Sequence, residues 1–205
     1  MNQAKENILE RIREGKQKAN LWNSVSEPKT NNFFVKSENN LIETFKISIE
    51  KINGQFFPVN NELELKEVIT NLFSNQDIIC KDGELQSLLS TLKINFSSTI
   101  DKNSNPLGFI KCEYLVARLG SVLTSSALES GRELNIFPEH QIVLANKNQL
   151  VYDIENAIEG IKIKYPTLPS MISFATGPSR TADIEKTLIL GAHGPKLLTI
   201  IYKNY

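Results

Sequence analysis

The first apolar positions of the chain fall at helical spacing. Ile8, Leu9 and Ile12 form a stripe within residues 4 to 18 and predict a helix there. Around them Glu10 and Glu14 alternate with Arg11, Arg13, Lys16 and Lys18, as on a solvated outer face. From Asn20 to Asn40 the chain turns polar, with Pro28 and isolated aromatics at Trp22, Phe33 and Phe34, which predicts an irregular arm. Those aromatics suit an anchor, either to the body of the protein or to a second subunit in a homodimer. Leu41, Ile42, Phe45, Ile49 and Ile52 resume the helical period, and Asn53-Gly54 ends it as a C-cap would. A strand over 55–59, a helix over 63–73, a strand over 77–81 and a helix over 85–92 follow.

The second half changes style. Residues 112–125 read as two strand segments broken by Gly120, 141–145 as an apolar strand and 151–165 as a helix. A strand over 171–175, a helix opening within Ser179 to Thr181 and running to Leu190, and a strand over 197–202 complete the chain. Alternating strands and helices predict an α/β fold of three layers around a mainly parallel central sheet. The organisation expected is an N-terminal helix and arm (1–40) and a single α/β domain (41–205).

Composition narrows the function. The 23 Lys and Arg residues balance the 23 Asp and Glu residues, so no net field draws the chain to nucleic acid or to an acidic membrane. Cys80 and Cys112 stand far apart and outside any C-x-x-C pair, which predicts two reduced, buried thiols and no metal or iron–sulfur site built by this chain. The opening residues carry acids and amides where a signal peptide needs an apolar core, and no run approaches the roughly twenty apolar residues of a membrane span. A cytoplasmic location is expected. Glycine-rich phosphate fingerprints are absent, and Ser121, Ser125 and Ser126 lack a nucleophile-elbow context.

The densest candidate chemistry lies in Ala175–Pro195. A strand runs into Gly177-Pro178, and the helix expected next has Ser179 or Thr181 as its cap, with Arg180 beside it. A helix start of that kind attracts anions through its free N–H groups and dipole, and Arg180 adds a fork for carboxylate or phosphate. Asp183 favours the dipole but opposes the anion. The plainer reading is chain punctuation, with Arg180 paired to Asp183 or Glu185. His193 and His140 are the two histidines and the two candidates for acid–base catalysis; a structural hydrogen-bonding role is the alternative for each.

The run Gly177-Pro-Ser-Arg-Thr-Ala-Asp-Ile-Glu185, followed by Leu190-Gly-Ala-His-Gly-Pro195, resembles the C-terminal signature of the LUD-domain family of lactate utilization proteins. Ile8-Leu9-Glu10-Arg11-Ile12-Arg13 resembles that family's N-terminus. The resemblance implies the fold of the NagB/RpiA/CoA transferase-like superfamily. It also implies a non-iron–sulfur component of a system that oxidises L-lactate to pyruvate, with iron–sulfur clusters carried only by partner subunits. Gly120, Ser121, Arg132 and His140 match the family pattern, so with Gly177, Ser179, Arg180, Thr181, Asp183 and His193 they form the candidate site for a small anionic metabolite. Arg118-Leu119 departs from the family's acidic residue and threonine, and predicts an added cation in place of an acid–base group. The alternatives are a stand-alone small-molecule enzyme or sensor of the isomerase and CoA-transferase-like fold, and an assembly module without chemistry; the sequence does not decide whether the chain is catalytic.

Overall fold

In a computed structural model of the chain, residues 2–19, 40–74, 76–100, 106–184, 187–190 and 194–205 are described. The chain divides into two compact units, Met1–Glu38 and Asn39–Tyr205. The first contains helix α1 (Asn2–Ala19), whose described side chains, Ile8, Leu9 and Ile12 among them, are all exposed. The expected arm, with Trp22, Phe33 and Phe34, lies outside the described residues.

The second unit opens with helix α2 (Leu41–Lys51), capped by the Asn40 side chain, which accepts from Ile42 N. Its exit follows the expected signal: Asn53 adopts φ 64° and Gly54 N donates to Ile49 O at 2.9 Å. Strand β1 (Gln55–Val59), helix α3 (Glu62–Phe73), strand β2 (Ile78–Ile79) and helix α4 (Gly83–Thr91) follow. Asn61 and Asp82 cap the two helices with their side chains.

Strand β3 (Leu107–Lys111), which the sequence pattern left unassigned, lies inside the main sheet. Strands β4 (Tyr114–Val116) and β5 (Ser121–Ser125) are the two expected segments either side of Gly120. Then come β6 (His140–Asn146), the short β7 (Leu150–Val151), helix α5 (Ile154–Lys164) and β8 (Ile172–Ala175). The chain closes with β9 (Arg180–Ile184), β10 (Thr187–Leu190) and β11 (Leu197–Lys203).

The order β1-β11-β6-β3-β2 makes a five-stranded sheet, parallel at every pairing. Ile142-Val-Leu-Ala145 is buried on both faces, the unbroken apolar run that a covered parallel strand requires. One face, through Phe109, Ile142, Leu144 and Ile201, packs on Leu65 and Ile69 of α3 and on Leu85 and Leu89 of α4. The other, through Ile110, Val143 and Ile200, packs on Phe45 and Ile49 of α2 and on Leu115 and Val122. Those last two residues belong to a second, mixed sheet of order β7-β4-β5-β8, whose far side carries Val116 and Leu123 onto Ala157 and Ile161 of α5. The mainly parallel central sheet is as expected; the second sheet is an addition to it.

One expectation is overturned. Strands β9 and β10 pair antiparallel where the sequence predicts a helix from Ser179 to Leu190. Thr181, Ile184, Thr187 and Ile189 suit a strand as β-branched residues, and that preference outweighs the capping signal at Ser179.

Two contacts fix the second sheet. Gly120 turns at φ 63° with its Cα against α2; a Cβ there would stand 2.5 Å from Ile49 N. Glu113, its side chain fully buried, accepts from Ser125 Oγ (2.6 Å), Lys164 Nζ (2.7 Å) and Tyr165 Oη (2.8 Å), tying β4, β5 and α5 together. Burial opposes its charge, but these donors outweigh burial and hold its carboxyl below the usual range. We expect Gly120→Ala to cost about 3 kcal/mol in urea unfolding, from positive φ plus overlap with the helix backbone. Glu113→Leu, which strands the buried hydroxyl of Ser125 and removes the acceptor of the half-buried Tyr165, should cost about 2–4 kcal/mol in the same measurement.

Candidate functional site

Four of the candidate residues meet at the end of α2. Ser121 Oγ lies 2.8 Å from Thr176 Oγ1, joining the start of β5 to the chain just beyond β8. Gly120 rests on Ser48 and Ile49, and Gly177, at φ 80°, rests on Ile52, whose carbonyl oxygen would lie 2.8 Å from a Cβ at that position. Arg180 donates from Nη2 to the same Ile52 oxygen at 2.9 Å, serving a carbonyl that the helix end leaves free. Arg180 therefore caps α2; the side chains of Asp183 and Glu185, its other expected partners, lie outside the described residues. Ser179 donates its N–H to Pro195 O at 2.8 Å, and it starts no helix. With the helix gone, the anion site built on a helix N-terminus at Ser179–Thr181 is withdrawn. The side chains of Thr181 and Asp183, and all of His193, lie outside the described residues.

The remaining candidates go elsewhere. Arg132 donates from Nη2 to Ser170 Oγ at 2.6 Å, beside the Ser126–Ser170 hydroxyl pair. His140 opens β6, and its Nε2 lies 2.8 Å from Thr199 Oγ1, which in turn donates to Gln55 Oε1 at 2.9 Å. Thr199 has one hydroxyl proton and gives it to Gln55, so His140 Nε2 is the donor to Thr199. Burial pushes the imidazole pKa down and favours its neutral form. The expectation of a cation added by Arg118 is corrected: its guanidinium forks onto Asp153 at 2.9 and 2.8 Å, where Asp153 also caps α5. That pairing neutralises the charge the sequence promised. Cys80 and Cys112 are free, buried thiols as expected, and burial raises the Cys80 pKa to about 12.

A cavity of about 70 Å³ opens between the two sheets, and its wall includes Gly177 and Pro195. Thr124 of β5 and Ser173 of β8 face each other across a strand pair in that wall, with Gln141 of β6 and Asn135 alongside. Gln141 is 3% exposed, and neither its Nε2 nor its Oε1 has a hydrogen-bond partner; Asn135 Oδ1 also has none. The sequence reading missed both residues. The signal for Gln141 was present: it takes the inward phase of a strand that continues with Val143 and Ala145.

A parallel sheet backed by helices, with a second sheet packed on its other face and a largely apolar cavity between them, defines a layered α/β protein. Residues 101–202 match the LUD domain, and the chain belongs to that family. Every residue lining the cavity lies inside that match. Along 180 residues, 80% of this chain and 81% of the relative, it is 27% identical to lactate utilization protein C of Anoxybacillus flavithermus. It is 34% identical over 92 residues to lactate utilization protein C of Halalkalibacterium halodurans, covering 43% of this chain and 40% of that one. In the first three relatives the matched region spans less than half of their own length, 40–46%. Among solved structures, a DUF162 family protein from Deinococcus radiodurans superposes with a TM-score of 0.61 at 16% identity, over 80% of this chain and 96% of that one, which shows the shared fold. No described helix is long and apolar enough to cross a membrane.

The His140 geometry yields a pH test. Its lowered pKa means that the unfolded chain takes up a proton first as pH falls, so this group's contribution to stability is present above about 6.5 and is lost below it. Urea midpoints measured from pH 8 to pH 5.5 should fall more steeply for the wild type than for His140→Gln; equal slopes would refute the assignment.

Proposed function

We propose that this LUD-domain protein serves lactate utilization as a non-iron–sulfur component of a system oxidising L-lactate to pyruvate. It carries no cofactor of its own in this reading, and iron–sulfur clusters belong to partner subunits. Its task is to hold a small anionic metabolite for them rather than to transfer electrons. The observation that carries the reading is the match to a lactate utilization protein C along four-fifths of both chains. Two features of the site support the binding part. Arg180, exposed beside Gly177, uses Nη2 on Ile52 and has further guanidinium donors to offer an anion at the surface beyond the end of α2. His140 is neutral and engaged with Thr199, which suits a positioning group better than a proton shuttle.

Deletion of the gene should abolish or strongly slow growth on L-lactate as sole carbon source, and restoration of the gene should recover it. The tagged chain, purified from lactate-grown cells, should bring iron–sulfur proteins with it. Unchanged growth of the deletion strain would sink the proposal.

A further inference from the structure

We propose that the cavity between the two sheets binds a small uncharged polar group presenting a hydrogen-bond acceptor and donor side by side, such as a carboxamide, and that the Gln141 side chain receives it. This goes beyond the lactate reading and does not depend on it, since it rests on the chemistry of one side chain and its surroundings.

Folded proteins pair the large majority of buried polar side-chain atoms, because an unpaired one has lost water without replacement. Gln141 leaves both ends of its amide unpaired at 3% exposure, inside a cavity wall. Its place on the strand makes the choice of residue informative. Val143 and Ala145 continue the same inward phase, and an apolar residue at position 141 would satisfy the packing. Gly108, the strand partner of Gln141, leaves room for Pro138: a Cβ there would overlap that ring and stand 3.5 Å from Gln141 Nε2, an ordinary contact. Asn135 Nδ2 is held by Gly131 O at 2.8 Å while its Oδ1 has no partner, which adds a second acceptor to the wall.

The ligand class follows from complementarity. A primary amide presents an N–H and its C=O side by side in one plane, so its best partner along that edge offers the converse pair. Among the described residues no charged side chain lines the cavity, and an ion buried against that wall would be left without a counter-charge, so the group received is neutral. Ile110, Val122, Val143 and Leu198 supply apolar wall for a methyl or short alkyl companion. About 70 Å³ is room for a few heavy atoms, given roughly 30 Å³ for a water in the liquid.

The probe is acetamide, with acetate as its charged isostere. In ¹⁵N-labelled protein, acetamide should shift one side-chain NH₂ pair, assigned to Gln141 by its loss in Gln141→Leu, and saturate it in the millimolar range open to about four heavy atoms. Acetate should leave that pair unmoved. Ala175→Leu, which adds bulk to the cavity wall at its exposed edge and keeps the amide, should abolish the shift. Without probe, Gln141→Leu should raise Tm by about 2–4 °C, because it removes an unpaired buried amide. The proposal is overturned if acetate acts as acetamide does, if the Gln141 pair responds to neither, if Ala175→Leu leaves the shift intact, or if Gln141→Leu lowers Tm. Should Gln141→Leu not fold, the amide is structural and the proposal fails.

Discussion

Close approach of two chain segments to the C-terminal turn of α2 governs the arrangement of the LUD domain. Gly120 lies against the backbone at Ser48 and Ile49, and Gly177 lies against Ile52. Both take positive φ, so each turns sharply where a side chain would be excluded twice over, by its own backbone and by the helix. Gly120 leads into β5 and Gly177 leaves β8, and these two strands are paired. Pinning both strands at the same end of the pair to one helix fixes that end of the second sheet against the first, beside the cavity. Arg180 completes the junction by serving the Ile52 carbonyl.

Polar groups of this domain divide by whether the fold consumes them. Glu113 is buried yet charged because three donors converge on it, and Arg118 is spent on Asp153 at the start of α5. His140 links β6 to β11 through Thr199. Gln141, the next residue, projects to the opposite face of the same strand and is left without a partner. Adjacent residues on one strand thus serve different ends, one holding the sheet together and the other lining the space between sheets.

How far the sequence was legible varies with the range of the interaction that decides each element. Helices α2 to α5 follow from local periodicity and from caps such as Asn53-Gly54, because their signals lie within a turn or two. Strand β3 escaped notice: Leu107-Gly-Phe-Ile-Lys111 is short, carries a glycine, and becomes a central strand only through its parallel neighbours β6 and β2. The pairing of β9 and β10 was misread for a related reason. Ser179 looks like a cap when seen alone, whereas the pairing of Arg180 with Leu190 requires the partner strand.

The chain by itself determined its family, through the Gly177–Pro195 signature, together with its α/β class and the glycines at which backbones must meet. Those are properties of residue type and order, and they are read without knowing what lies opposite. Tertiary structure alone decided that Arg118 is neutralised by Asp153, that Arg180 serves a helix end and that Gln141 is unpaired. Whether a charge or an amide is available depends on partners tens of residues away, and hydrogen bonding is settled by distance in space rather than along the chain.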